Sequence, residues 1–400
     1  MKESRIKIAW LVPSISRGYV WQPIFQEFIK IFPNNLVFTG EKPITLSEKD
    51  YEFLNIKILG KSRFIKFSTK ESTYQRGFIL PPLNLPYHLL KYSPEVIFAT
   101  GFSIWTMIAL IMKLFTGWKI IVVYDGSSPE IDVKDSRFRL FVRRLATGYA
   151  DAFITNTNAG KSYLVESLKA KSDLVFARPY QVADKKYLSE KLTESGNLVQ
   201  EMKPPVFLYI GLVIKRKGLD YLLKACSKLK DMGHNEYTML VVGDGKHREE
   251  LEKLTKQLSL EKQVRWTGWV EYEKLGSFLE SSDVFIFPTL EDIWGIVVTE
   301  AMSFEKPVLC SSLAGACELV VEGENGYTFD PINDTPEILA NIMSKFIVNP
   351  NLITSMGKKS GQYISSYNPQ SIATHLKNVI EFVHKNDARS SKAFSEFSKN

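Results

Sequence analysis

The stretch from Phe287 to Val320, FPTLEDIWGIVVTEAMSFEKPVLCSSLAGACELV, constrains the fold more than any other segment. An apolar run, Val284 to Phe287 closed by Pro288, leads into it. A helix-like run, Ile296 to Ser303, follows a Trp294-Gly295 pair, and a second apolar run, Pro307 to Cys310, comes directly after. Strand, loop, helix and strand in that order is the unit that builds a parallel sheet. Two acids, Asp292 and Glu300, are separated by seven residues around the Trp-Gly pair. They fall at or just past the carboxyl edge of that sheet, where open α/β folds bind ligands.

The spacing has a chemical reading. Gly295 permits a tight turn into the helix. The amides of Ile296 and Val297 then open the helix with no preceding carbonyl to bond, in a position to hold a phosphate. Glu300 lies about one turn further in, where a carboxylate can accept the hydroxyls of a ribose. Asp292, ahead of the helix, reaches a different part of the same ligand. Such a site suits a nucleotide sugar. An arbitrary pair of acids at this spacing is more often a helix cap and a solvated side chain. The Trp-Gly pair and the flanking strands favour the ligand.

Two further stretches belong at the same sheet edge. Gly211-Leu-Val-Ile-Lys-Arg-Lys-Gly218 puts Arg216 and Lys217 in a loop that enters a helix, where cations suit a diphosphate. Val242-Gly243-Asp244-Gly245 is a strand end followed by a glycine turn that lets a ligand approach the backbone. Neither is specific alone. No G-x-G-x-x-G and no G-x-x-x-x-G-K-[ST] occurs, so neither a nicotinamide site nor a P-loop is supported.

Four hundred residues with 44% apolar content suit two globular domains. Apolar strands at Ile6–Val12, 36–38, 96–99, 120–124, 152–154 and 174–176 alternate with helical patterns at 24–31, 104–114, 138–146 and 160–168. The segment 187–205 reads as a linker. The pattern then restarts with strands at 206–210, 238–242, 264–267, 284–287 and 307–310. Phe102 to Val123 is long enough to span a bilayer, but Lys113, Lys119 and Thr116-Gly117 read better as a buried helix, a turn and a strand. The first apolar run is too short for a signal peptide core, and three cysteines without metal or disulfide spacing fit a reducing cytosol.

Charge is uneven. The first 200 residues hold 28 Lys and Arg against 18 Asp and Glu, the last 200 hold 23 against 26. Basic positions cluster at Lys61, Arg63, Lys66, Lys70 and Arg76, and at Arg137, Arg139, Arg143 and Arg144, both interleaved with aromatic and aliphatic residues. This suits an anionic membrane surface. An ordinary amphipathic helix explains the second cluster equally well. No nucleic-acid module is recognisable.

Taken together, these motifs resemble the retaining glycosyltransferases of family 4, the GT-B class called glycosyl transferases group 1. The resemblance is carried by residues 204–330. Asp292 and Glu300 around Trp294-Gly295 stand for the family's E-x7-E. Gly211 to Gly218 stands for its G-x-L…K-G turn. Val242–Gly245, Trp266-Thr-Gly268-Trp269-Val270 and Leu313-Ala-Gly315-Ala-Cys-Glu318-Leu-Val320 follow in the family's order. The resemblance implies an α/β fold of two tandem Rossmann-like parallel-sheet domains with the active site in the cleft between them. Residues 1–200 would be the acceptor-binding domain, completed by a helix at 365–385. Residues 204–362 would bind the donor, and 386–400 would be a disordered tail.

The resemblance also implies roles. Glu300 binds the donor ribose, and Asp292 contacts the transferred sugar. Arg216 and Lys217 neutralise the diphosphate. Trp269 and Val270 lie near the base, with Gly211, Gly243, Gly245, Trp294, Gly295, Ile296 and Val297 around the donor, and Gly18 approaches the diphosphate from the first domain. Three departures from the pattern are Leu212 where the family often has Arg, Asp292 where it has Glu, and a single glycine at Gly18. Asp125 takes the place of a His that many members direct at the sugar.

The expected protein is therefore a cytoplasmic, peripheral-membrane glycosyltransferase of hexosyltransferase type that needs no metal. It would move a sugar from a nucleotide diphosphate sugar, with retention, to a hydroxyl of a lipid-linked or polysaccharide acceptor in surface-glycan biosynthesis. The alternatives are a transferase of the same fold with a sugar-phosphate acceptor and a catalytically silent nucleotide-sugar-binding partner.

Overall fold

A computed structural model describes residues 5–14, 18–40, 53–66, 77–132, 134, 136–180, 182, 185–190 and 202–397. The chain divides into two compact units: Met1–Gln181 with Pro369–Asn400, and Val182–Asn368.

The first unit is built on a seven-stranded sheet. Its strands are β1 (Ile8–Val12), β2 (Asn35–Thr39), β3 (Ile56–Ile58), β6 (Val96–Thr100), β7 (Lys119–Tyr124), β8 (Ala152–Thr155) and β9 (Val175–Ala177), in the order β3-β2-β1-β6-β7-β8-β9. All pairs are parallel. Strands as uniformly apolar as β1, IAWLV, must be covered on both faces. Helix α1 (Gly18–Ile31) sets Phe25 and Phe28 edge-on to Trp10, which stacks on Phe98 at 4.1 Å, and packs beside the chain's last helix. Helices α2 (Leu85–Tyr92), α3 (Ile104–Thr116) and α4 (Arg137–Tyr149) bury Leu85, Leu89, Trp105, Ala109 and Ala146 in one core with Ile97, Val122 and Phe153.

Several local expectations change. The long apolar run resolves into α3, a left-handed Gly117 at φ 72° and β7, but α3 is buried on its inner side only. Its outward residues Ile111, Leu114 and Phe115 are exposed. Among the described residues no helix is long and apolar enough to cross a membrane. A two-stranded antiparallel hairpin, β4 (Arg63–Lys66) and β5 (Gly77–Leu80), carries part of the first basic cluster. Each strand is only four residues long, RFIK and GFIL, too short to stand out as an apolar run. Lys70 and Arg76 lie outside the described residues. The supposed linker contributes a helical turn and a half, Lys185–Glu190, with Leu188 buried. The last helix spans Pro369–Phe397 and so runs through most of the segment expected to be disordered, which is polar but has neither Gly nor Pro to stop it.

The second unit holds a six-stranded parallel sheet. It contains β10 (Val206–Ile210), β11 (Thr238–Val242), β12 (Val264–Gly268), β13 (Val284–Phe287), β14 (Val308–Ser311) and β15 (Gly326–Phe329), ordered β12-β11-β10-β13-β14-β15. β15 has only two aromatic residues to mark it. Its start must be glycine, because a Cβ at Gly326 would lie 1.9 Å from the Val308 carbonyl oxygen. Helices α5 (Leu219–Asp231) and α6 (Pro336–Val348) cover one face through Leu222, Cys226, Met343 and Phe346.

β10 pairs with β11 on one side and β13 on the other, so the chain reverses direction across the sheet at this point. The loops after β10 and β13 leave the carboxyl edge at this switch point, the usual ligand position of an open α/β sheet. Close backbone contact shapes the edge. Gly243 sits at φ 138° and donates to the Gly268 carbonyl at 2.9 Å, and a Cβ on it would lie 1.9 Å from the Gly211 oxygen.

Gly243→Ala is therefore expected to cost about 3 kcal/mol or more, above the 1–3 kcal/mol of backbone strain alone. Gly233→Ala, at φ 87° with open space around its Cβ position, carries only the backbone cost, about 1–2 kcal/mol. Urea unfolding of the two variants side by side checks the difference.

Candidate active site

The loop after β13 is tied down on its far side. Asp292 donates its N–H to the Leu313 carbonyl at 3.1 Å and accepts from the Gly315 N–H at 3.1 Å. The Trp294 carbonyl accepts from the Ala316 N–H at 2.8 Å. The segment Leu313–Ala316, noticed in the sequence for its pattern alone, thus holds the acidic loop in place. Gly295 then turns the chain at φ 98°, with Phe287 so close that a Cβ would lie 2.7 Å from its ring. Helix α7 (Ile296–Ser303) begins at once, and no side chain caps it. Ile296 and Val297 occupy its first turn, where N–H groups have no helical acceptor.

Glu300 is 2% exposed, and its Oε1 accepts the Tyr272 hydroxyl at 2.9 Å. Burial pushes its carboxyl up to about 7, against the opposing pull of the Tyr272 hydrogen bond. Tyr272 was not picked out in the sequence. Its signal would have been its position just beyond Trp269-Val270.

The loop after β10 supplies the cations. A short 3-10 turn, Lys215–Lys217, ends at Gly218 with φ 66°, and a Cβ there would lie 2.0 Å from the Pro288 oxygen. Only glycine lets the two loops pass this closely. The Arg216 carbonyl accepts the Leu290 N–H at 2.7 Å and the Thr289 hydroxyl at 3.1 Å. The Lys217 ammonium donates to Asp292 Oδ2 and lies 4.9 Å from the centre of the Phe287 ring. Arg216 donates to the Glu291 carbonyl and stands 3.4 Å from Asp292 Oδ2. Burial would raise the Asp292 pKa, but the Lys217 charge and hydrogen bond, with Arg216 behind them, hold it below the ordinary carboxylate range. The cations expected at a diphosphate and the acid expected at a sugar are thus one ion-paired cluster.

Other expected residues fall into place differently. Gly211 and Gly245 stand where strand ends crowd: a Cβ on Gly245 would lie 2.4 Å from the Val213 oxygen. Trp269 is exposed, and Val270 is half-buried against the core. Trp294 is 3% exposed and packs in the apolar core with Phe287 and Val298. The motif conceals this because an aromatic beside a glycine reads the same in a core as in a site.

In the first unit, Gly18 is the first residue of α1 and not part of the preceding loop. Asp125 follows β7 and is more than a turn residue. Its Oδ1 accepts the buried Tyr180 hydroxyl at 2.6 Å, and its carbonyl accepts Asn156 Nδ2 at 2.8 Å. Burial raises its pKa against that hydrogen bond. A neighbouring network escaped the sequence reading: Asp132 accepts the Tyr124 and Ser127 hydroxyls, each at 2.6 Å. Arg143, expected on the surface, turns inward to the Ile131 and Asp132 carbonyls at 3.0 and 3.1 Å. Among the described residues no group of three or more His, Cys, Asp or Glu could hold a metal ion.

Two parallel sheets with a cationic, acid-lined switch point in the second define the GT-B glycosyltransferase fold. Residues 191–382, just under half of the chain, match the family model described as glycosyl transferases group 1. Among curated relatives, the alpha-D-kanosaminyltransferase of Streptomyces kanamyceticus is 28% identical over 156 residues, 39% of this chain and 40% of that protein. An uncharacterized glycosyltransferase of Methanocaldococcus jannaschii is 33% identical over 36% of each chain. The matched part thus spans less than half of either relative. Of solved structures, Anabaena HepE in complex with UDP superposes with a TM-score of 0.74 at 17% identity, over 94% of this chain and all of that one. A structure of the same protein with UDP-glucose gives 0.69.

Two outcomes follow from the cluster. Lys217→Met leaves a buried Asp292 without its main partner and is expected to destabilise the protein by about 3–5 kcal/mol, with Asp292→Asn restoring most of it in the double variant. Thermal melting of the single and double variants checks this. Glu300 has a raised pKa, so its stabilising form is the protonated one. Stability is fullest below the ordinary Glu value of 4.5 and falls as pH rises through about 7. The difference is roughly 3 kcal/mol at 1.36 kcal/mol per unit. Melting temperature without ligand should fall from about pH 5 to about pH 8, and Glu300→Gln should remove that component.

Proposed function

We propose that this protein is a retaining glycosyltransferase that moves a sugar from a nucleotide diphosphate sugar to a hydroxyl of a lipid-linked or polysaccharide acceptor, without a metal. The observation that carries the reading is the meeting at the switch point of Lys217 and Arg216, from the loop after β10, with Asp292, from the strand-loop-helix that also holds Glu300.

An ammonium has three donors. Lys217, held by Asp292, sets its positive charge where a diphosphate would bind. The leaving group gains negative charge in the transition state, so a preorganised cation there accelerates transfer instead of merely binding substrate. Asp292 fixes that cation, and its Oδ1, which also receives the Trp294 N–H at 3.4 Å, is the oxygen left to contact the transferred sugar. Glu300, when ionised, accepts the ribose hydroxyls in place of part of its lost hydration. Hydroxyl-bearing ligand should therefore bind more tightly as pH rises through about 7. HepE's complexes with UDP and UDP-glucose support a uridine donor.

A second reading, a catalytically silent nucleotide-sugar-binding partner, is favoured by one observation. Leu212, where the resembled family often has Arg, is exposed at the site.

Thermal stabilisation by UDP-, GDP-, ADP- and dTDP-sugars tests the donor. A ligand at 100 times its Kd should add about 2.7 kcal/mol. UDP-sugars are expected to stabilise the protein, and Glu300→Ala to abolish the effect. No stabilisation by any of them sinks the proposal. Stabilisation without hydrolysis or transfer of the bound sugar, in wild type as in Lys217→Met, selects the silent partner.

A further inference from the structure

We infer that the outer face of helices α3 and α4 in the first unit docks on an anionic membrane surface. The inference rests on that face alone and is independent of the transfer reading. Both helices bury one side against the sheet, and both are apolar on the other side as well. On α3 the outward residues are Ile111, Leu114 and Phe115, and on α4 they are Phe138, Phe141 and Leu145. The spacings are those of a single stripe along a helix. Phe115 is 86% exposed and Phe138 75%. The stripes belong to one surface, because α3 and α4 lie side by side and Lys113 of α3 donates to the Tyr149 carbonyl at the end of α4 at 2.8 Å. Scattered exposed apolar residues need no explanation, but two adjacent stripes form a contiguous patch that marks an interaction site.

Charge identifies the partner. Neither helix contains an Asp or a Glu, whereas α4 carries four arginines. Arg143 turns inward, while Arg137 and Arg144 are exposed beside the aromatic stripe, Arg144 with its Nε donating to the Ser167 carbonyl at 2.8 Å. Asp151, just after α4, is already bonded to Lys113 at 2.5 Å, lies 3.8 Å from Lys119, and accepts the Ile120 N–H at 2.7 Å. Asp132, before α4, is buried. Glu130 is half-buried. Aromatic and aliphatic side chains flanked by exposed arginines match the interface of an acidic bilayer: the apolar groups enter the headgroup boundary and the guanidiniums meet lipid phosphates. A soluble protein partner or a second copy would have to cover the same apolar area and supply acids, and the two helices offer a second copy none.

The test is co-sedimentation of the full chain with vesicles of phosphatidylcholine alone and of phosphatidylcholine with phosphatidylglycerol. Binding is expected only to the anionic vesicles, weakening as salt is added. Arg137→Glu and Arg144→Glu should each lower it by about fivefold or more, from the contribution of one basic residue near such a surface. Phe115→Ser with Phe138→Ser should lower it at every salt concentration. Phe115, Phe138 and Arg137 are exposed and Arg144 gives up only a surface hydrogen bond to the Ser167 carbonyl, so melting temperature should stay near wild type, and equal melting separates lost docking from lost folding. No binding to anionic vesicles, equal binding to neutral ones, or unaltered binding by the variants overturns the inference. So does a concentration-dependent dimer in sedimentation equilibrium that Phe115→Ser disperses, which would assign the face to a second copy.

Discussion

The second unit is organised around the ion pair between Lys217 and Asp292. It joins the loops after its two central strands, and everything else at the carboxyl edge is placed to make it possible. Gly218 lets the first loop pass under the Pro288 carbonyl, and Gly295 turns the second loop into its helix. The segment Leu313–Ala316 fixes the backbone of the acid. Charges this deeply placed lose hydration, and the loss is offset only when geometry and hydrogen bonds are good. Here Asp292 also receives the Trp294 N–H at 3.4 Å, and Lys217 lies over the Phe287 ring.

The two acids of the motif end in opposite electrostatic conditions. Asp292 is held ionised by cations, and Glu300 is pushed toward neutrality by burial with only a tyrosine hydroxyl beside it. Two carboxylates with seven residues between them can therefore take different parts, one anchoring a cation permanently, the other ready to accept hydroxyls once a ligand replaces its missing hydration. The division comes from surroundings, since the side chains differ by one methylene.

Much of the fold could be read from the chain. The strands of both sheets stand out because parallel strands covered on both faces must be almost wholly apolar. The elements that escaped notice, β3, the β4–β5 hairpin and β15, are short, edge-placed or outside the main sheets, where that demand is weak. The acidic motif, the basic turn and the glycine turns were visible because each depends on local backbone geometry. Tyr272 and Asp132 were not, because a lone tyrosine or aspartate has no signature until its partner is known. The burial of Trp294 and the inward turn of Arg143 went unread for the same reason, as both residue types serve equally well on a surface or facing inward.

The sequence by itself determined the alternation of strand and helix, the two-unit plan and the set of residues available at the carboxyl edge, because these follow from hydrophobic period and from glycine's freedom in the backbone. Tertiary structure alone decided that Lys217 meets Asp292, 75 residues further along the chain, and that Glu300 is buried. It also decided which side of α3 faces the core. An apolar helix looks the same in sequence whether one face or two are covered, and only the packing of its neighbours leaves Phe115 in the open.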